Sequence, residues 1–281
     1  MQLLVSVRSA AEAAAAIAGG ADIVDAKEPR AGALGAVSID VLREIAAELR
    51  GLRPLSAAIG DASGEADVER TACAFATAGA SFVKIGFAGI AEPARVASLA
   101  AAARRGVGAA GAGTVVVLAL YADADPDASV ARDDMIEIAA RAGAGGVLLD
   151  TARKSGPALR ALIEPGGLAA FVDRAHGCGL FAALAGKLTA DDLPIVCGAG
   201  ADIAGVRGAA CEGGRTGRVT ADRVRILRAL STADGPQAVP SESAEWAARP
   251  EGRALPKNAP ASIRSAATIV ASTPGGSARW K

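Results

Sequence analysis

Histidine, lysine and aromatic side chains are scarce in this chain, and each scarcity excludes something. There is one histidine, His176, among 281 residues, and aromatics make up 3%. His176 falls in a helix-to-strand connection with no nucleophile beside it, which argues against Ser-His-Asp chemistry. The four cysteines, Cys73, Cys178, Cys197 and Cys211, form no CxxC pair. With a single histidine they do not make a zinc site, so no metal and no cofactor is expected. Scattered thiols of this kind read as reduced and buried. No apolar run approaches the length of about 18 residues that spans a bilayer. Met1 is followed almost at once by the strand-like Leu3–Val7, without a basic segment or signal-peptide core. The expectation is a soluble, cytoplasmic protein with no membrane contact. Formal net charge is zero and no basic stripe is interleaved with aromatics, so nucleic acid is not an expected partner.

The lysine shortage is the most informative. The chain has 24 arginines but six lysines, at 27, 84, 154, 187, 257 and 281. The first four lie in or just after apolar runs. Where Arg serves the solvated surface, a Lys inside a strand is retained for what Arg cannot do, which is to lose its proton and attack a carbonyl.

What is present in quantity is small apolar residues. Half the chain is hydrophobic (51%), and with so few aromatics the core must be closely packed Ala, Val, Leu and Ile. Strand-like and helical runs alternate from the start. Strands are predicted near Leu3–Val7, Ile23–Lys27, Pro54–Ile59, Phe82–Phe87, Thr114–Tyr121, Val147–Asp150, Leu180–Ala185 and Asp202–Val206. Helices are predicted after each, with Ser9 and Glu12 forming a capping box at the first and Thr220 capping the last. The helix after the fourth strand should run over Glu92–Arg104. The strands are nearly continuous in apolar character, as in Thr114–Leu120, and so should be parallel and covered on both faces. Eight strand–helix units in about 230 residues predict an α/β fold, a (β/α)₈ TIM barrel; a doubly wound open sheet is the alternative. The barrel domain is expected over residues 1–233. Residues 234–281 hold six of the 13 prolines with several Ser and Gly, and read as a flexible, disordered C-terminal extension in composition, in which Ser262–Ser272 could form a short helix or strand.

The chain is organised around Asp22–Gly35. Asp25 and Lys27 are two apart, so they share one face of the second strand as it enters a glycine-broken loop, which could act as a lid or be an ordinary connection. Alternation turns Lys84 inward on the fourth strand. Asp150 ends the sixth strand, Lys154 lies in the following loop, and Lys187 follows the seventh strand. These groups converge on the C-terminal mouth, where barrels carry their sites. Clustered ammonium groups in a partly desolvated pocket depress one another's pKa; moving a lysine from about 10.4 toward 7 costs roughly 4–5 kcal/mol. The neutral amine so made can form a Schiff base, with a second Lys or an Asp moving protons. Inert salt bridges are the alternative. The loops Ala185–Lys187 and Gly205–Gly217, rich in small residues and holding Arg207 and Arg215, occupy the position where many barrels bind phosphate.

Several motifs resemble one family. They are Gly19–Pro29 with Gly32–Gly35, Phe82–Gly86, Leu149–Gly156, Ala183–Gly186 and Gly205–Cys211. In this order, over residues 1–231, they are similar to (5-formylfuran-3-yl)methyl phosphate synthase, also called 4-(hydroxymethyl)-2-furancarboxaldehyde phosphate synthase. The resemblance implies a (β/α)₈ lyase condensing two glyceraldehyde 3-phosphate molecules into a phosphorylated furan aldehyde for methanofuran-type cofactors. It implies that Lys27 is the Schiff-base lysine and Lys84 the proton acceptor, with Asp25, Asp150 and Lys154 as supporting catalytic groups. Phosphate would be held by Gly186, Gly205, Arg207 and Gly208. The implied partner is a small phosphorylated triose, and a homo-oligomer stays open. Two rivals stand beside this reading. One is a class I aldolase acting on a phosphorylated sugar; the other is a non-catalytic phosphate-sugar-binding barrel.

Overall fold

The structure, a computed structural model, describes residues 1–111 and 113–232. The expectations for 234–281 lie outside the described residues. The eight strands are β1 (Gln2–Val7), β2 (Ile23–Ala26), β3 (Leu55–Asp61), β4 (Phe82–Gly86), β5 (Val115–Tyr121), β6 (Gly146–Asp150), β7 (Phe181–Leu184) and β8 (Ile203–Val206). They form one closed parallel barrel in sequence order. The seam is made by β1 on β8, with Gln2 opposite Ile203 and Val5 opposite Val206. That pairing removes the open-sheet alternative.

The helices are α1 (Ala10–Ala18), α2 (Ile39–Leu49), α3 (Glu65–Thr77), α4 (Pro93–Ala109), α5 (Arg132–Arg141), α6 (Leu159–Leu162), α7 (Pro165–Gly177), α8 (Leu193–Gly198) and α9 (Ala221–Leu230). They cover the outer face of the barrel. Outward strand residues such as Val5, Val24, Val83, Leu118 and Leu149 are fully buried against them. Small residues permit close approach. At Gly106 a Cβ would overlap the Glu69 carbonyl, so the glycine lets α4 lie directly on α3. This explains why α4 runs five residues past Arg104: Gly106 and Gly108 are tolerated for tertiary contact although they read as helix breakers.

A separate cluster fills the barrel interior, including Leu4, Ile23, Phe82, Val117, Leu148, Phe181 and Ile203. Phe82 and Phe181 meet edge to face, with centroids 6.0 Å apart. These two of the chain's few aromatics close the floor. Above them the inward positions turn polar, with Ser6, Asp25, Ser56, Lys84 and Asp150 all buried.

Some details depart from the sequence-based expectations. His176 lies in the last turn of α7, not beyond it, and its Nε2 is 2.7 Å from Asp202 Oδ2. The loop after β8 forms a two-stranded antiparallel ribbon, β9 (Cys211–Glu212) and β10 (Arg218–Val219). Ser9 caps α1 by accepting from the Glu12 N–H at 3.4 Å, but Glu12 does not return the bond to Ser9. Its Oε2 accepts from the Arg8 N–H at 2.9 Å, and its carboxylate turns inward to Arg207. Among the described residues, no helix is long and apolar enough to cross a membrane.

Candidate active site

Parallel pairing sets the heights of the site residues. Ser6 of β1 lies opposite Asp25 of β2, and Asp25 lies opposite Ser56 of β3. Lys84 of β4 is level with Ala58, one inward position higher. Because β3 presents only Ser56 and Ala58 here, the Lys84 side chain crosses above β3 to reach β2. Its Nζ donates to Asp25 Oδ1 at 2.5 Å. The other oxygen, Asp25 Oδ2, accepts from Ser6 Oγ at 2.8 Å. Asp25 is fully buried and Lys84 is 5% exposed.

A second group stands across the barrel. Asp150, at the end of β6, accepts from the Thr151 N–H at 2.7 Å and from Lys154 Nζ at 2.6 Å, both at Oδ1. Lys154 also donates to the Thr151 carbonyl at 2.5 Å. Lys27, just past β2, has its Nζ 3.7 Å from Asp150 Oδ2, and this Nζ makes no hydrogen bond among the described residues. Lys187 lies at the mouth beyond β7, exposed, and donates to the Gly156 carbonyl. A cavity of about 580 Å³ runs from the loops after β7 and β8 down into the barrel and touches Asp25, Lys27, Lys84, Asp150 and Lys154 together.

The electrostatics follow from this packing. Burial lowers the Lys84 pKa; Asp25 pulls it back and Lys27 pushes it further down, leaving it below the ordinary lysine value. Lys154 is lowered for the same first reason, against the pull of Asp150. For Asp150, burial alone favours the neutral acid, but Lys27, Lys154 and the Thr151 N–H outweigh it and hold the carboxyl below its usual range. Two lysines are thus biased toward the neutral amine beside a carboxylate kept ionised.

The phosphate candidates are arranged differently from one another. Gly186 follows β7, Gly205 lies on β8, and Gly208 opens a short 3-10 turn, all lining the cavity. Arg207 lines it too, but its five N–H donors are all engaged within the protein. They go to Ser6, Arg215 and Gly217 carbonyls and to both oxygens of Glu12, at 2.9 and 3.3 Å. Arg207 has no donor left for a phosphate and instead fixes the loop that carries Gly208. The signal for Glu12 was present in the sequence, but a Glu three residues after a Ser cap reads as a capping box.

Arg215 reaches across the mouth to the Pro29 and Gly32 carbonyls. This anchors the glycine-broken loop after β2, which is seated, not free. Leu34 from that loop is buried in the interior cluster, over Gly86. A register shift between Ala58 and Asp61 brings Asp61 opposite Gly86, where it accepts from Tyr121 Oη at 2.8 Å. Burial, then the Asp61 carboxylate, raises the Tyr121 pKa. Asp123 accepts from the Ala152 and Arg153 N–H groups at 2.6 and 2.8 Å and so shapes the Lys154 loop. None of Ser6, Ser56, Asp61, Tyr121 or Asp123 stands out in the sequence, because single polar residues in strands and loops carry no periodic signal.

A closed parallel barrel wrapped by helices defines the class, a (β/α)₈ barrel, and lysines and aspartates gather at its C-terminal mouth. Comparison with known proteins narrows it. The 4-HFC-P synthase family model matches residues 3–228, and the chain belongs to that family. The (5-formylfuran-3-yl)methyl phosphate synthase of Methanopyrus kandleri is 39% identical over 233 residues, covering 83% of this chain and 98% of its own length. That of Methanocaldococcus jannaschii is 38% identical over 237 residues, covering 82% and 99%. Among solved structures, 3-hexulose-6-phosphate synthase superposes with a TM-score of 0.54 at 22% identity, covering 83% of this chain and all (100%) of that one. Phosphoribosyl anthranilate isomerase from Thermus thermophilus gives 0.57 at 17% identity, covering 82% and 98%. These two likenesses concern the fold alone.

Proposed function

We propose that this protein is a lyase that condenses two molecules of glyceraldehyde 3-phosphate into (5-formylfuran-3-yl)methyl phosphate through a Schiff base on Lys27. The observation that carries this is the state of the three amines beside Asp25 and Asp150. Lys84 and Lys154 are hydrogen-bonded to Asp25 and Asp150, whereas Lys27 faces the cavity with no hydrogen bond. An amine without such a bond is the one available to attack. Membership of the 4-HFC-P synthase family supports the same assignment.

In this reading the Lys27 nitrogen adds to the aldehyde carbon of one triose, and loss of water gives the imine. Once protonated, the imine draws electrons from the neighbouring carbon, whose proton passes to Lys84. The resulting enamine carbon forms the new carbon–carbon bond to the second triose. Lys84 is suited to accept that proton because burial favours its neutral form and Asp25 stabilises the charged form that results. Asp150 stays ionised and steadies the cationic Lys27 adduct. Over the whole reaction two trioses give the furan, one orthophosphate and two waters, so atoms balance without an oxidant. Phosphate is met by the backbone of Gly186, Gly205 and Gly208, and Arg207 holds the loop that carries Gly208 in place.

Borohydride trapping in the presence of glyceraldehyde 3-phosphate, followed by peptide mass mapping, tests this. A reduced triose adduct on the Lys27 peptide and a product absorbing in the near ultraviolet are expected. Lys27→Arg keeps the charge but should abolish both. Normal turnover by that variant, or an aldol product without near-ultraviolet absorbance, rejects the reading.

A further inference from the structure

We propose that Ser56 is a substrate-binding residue, whose hydroxyl receives the hydroxyl on the carbon next to the one bound by Lys27. This rests on the Schiff-base reading above and extends it to the floor of the site.

Ser56 is 1% exposed, and its Oγ has no hydrogen-bond partner among the described residues. Two other buried side-chain atoms share that condition, Arg160 Nε and Thr220 Oγ1, but neither residue lines the cavity. Ser56 does line it. Its direction is fixed by alternation: Leu55 and Ala57 pack outward with the helices, while Ala58 belongs to the interior cluster. No hydrogen bond among the described residues satisfies the hydroxyl. Asp25, its strand neighbour, accepts from Lys84 at Oδ1 and from Ser6 at Oδ2, not from Ser56. The inward neighbours below are apolar, including Ile23, Phe82 and Leu4. A buried hydroxyl left unpaired costs about 1–3 kcal/mol, so its retention calls for a partner that arrives with the ligand.

The surroundings limit what that partner is. Ser56 sits one inward position below the level of Lys84, roughly 6–7 Å along the strand. A phosphate does not suit this depth, because the pocket floor is apolar and offers no cation of its own. A neutral oxygen does. In a triose phosphate the aldehyde carbon is committed to Lys27 and the phosphate to the glycine loops at the mouth, which leaves the central hydroxyl for the floor. Ser56 can accept from that hydroxyl or donate to it.

The test uses the full-length protein with glyceraldehyde 3-phosphate and with 3-phosphonooxypropanal, the same aldehyde lacking the central hydroxyl. Ser56→Ala should lower kcat/KM for the triose about 5- to 10-fold, chiefly through KM, with a melting temperature unchanged or raised because an unpaired hydroxyl has been removed. Ser56→Thr restores the hydroxyl and should recover most of the loss. In borohydride trapping, the wild type should prefer the triose over the deoxy aldehyde, and Ser56→Ala should narrow that preference. Kinetics within twofold of wild type, with the preference intact, would mean that Ser56 holds a structural water only and would overturn the inference. A drop in melting temperature with an activity loss that Thr does not rescue would overturn it as well. If the wild type itself yields neither furan nor adduct, the Schiff-base reading falls first, which separates the two failures.

Discussion

Lys27 Nζ stands 3.7 Å from Asp150 Oδ2 without a hydrogen bond, while Lys154 Nζ holds the other oxygen, Oδ1, at 2.6 Å. One buried carboxylate therefore serves two amines unequally. It binds Lys154 tightly and leaves Lys27 near an anion but unrestrained. A carboxylate placed in this way can steady the cation formed once Lys27 has joined a carbonyl, without itself engaging the amine in a hydrogen bond.

Replacing Asp150 by Asn leaves two lysines near a neutral amide in a largely buried place. Breaking a buried pair from one side costs about 3–5 kcal/mol, and a urea denaturation series at neutral pH should show a loss of that order. The sign with pH follows from the lowered carboxyl. The Asp150 contribution is present above the unfolded carboxylate pKa of about 3.9 and is lost as pH falls through the lower folded value. The stability gap between wild type and Asp150→Asn should narrow below about pH 4. A gap that stays constant to pH 2 contradicts this.

Lys84 offers a direct check on the electrostatics of the site. Its neutral form is favoured by burial and by Lys27, and opposed by Asp25. Competitive acetylation of Lys84 across pH should report an apparent pKa below that of an ordinary lysine. Asp25→Asn should move it further down, and Lys27→Met should move it up. Opposite movements in the two variants are the expected result; movement in the same direction would mean that the charges do not couple as described.

Arg207 and Glu12 bridge the start of α1 to the loop after β8. Both are buried, and Arg207→Lys cannot reproduce five fixed donors. A loss of about 3 kcal/mol is expected, seen as a fall in melting temperature of roughly 6–12 °C for a domain of this size. Because the bridge holds the loop and does not touch the reacting carbon, KM for a phosphorylated substrate should rise more than kcat falls.

Gly86 ends β4 under three converging groups. A Cβ there would overlap Asp61 Oδ1, Tyr121 Oη and Leu34 Cδ1. Gly86→Ala should cost about 1–3 kcal/mol and lift Leu34 from the interior. Limited proteolysis should then cut within residues 28–35 faster than in the wild type, with a smaller increase at sites elsewhere in the barrel.

How much of this was legible in the sequence depends on the range of each interaction. Strand and helix order follows from local patterning, and eight alternating units with strands apolar on both faces specify a parallel sheet wrapped by helices. The scarcity of lysine marked Lys27, Lys84 and Lys154, and alternation alone turned Lys84 inward. The helix ends were less legible: α4 passes through Gly106 and Gly108 because a close helix contact offsets their weak propensity.

Tertiary structure decided the rest. Closure of β1 on β8 brings residues some 200 positions apart into register, and no local pattern specifies that. It made Glu12 the partner of Arg207, occupied every donor of an arginine that otherwise reads as a phosphate ligand, and seated the loop after β2 through Leu34 and Arg215. It also left Ser56 unpaired in the cavity while its neighbours were satisfied. A side chain's chemical type is written in the sequence, but whether its hydrogen bonds are already taken depends on groups that only the closed barrel brings within 3 Å.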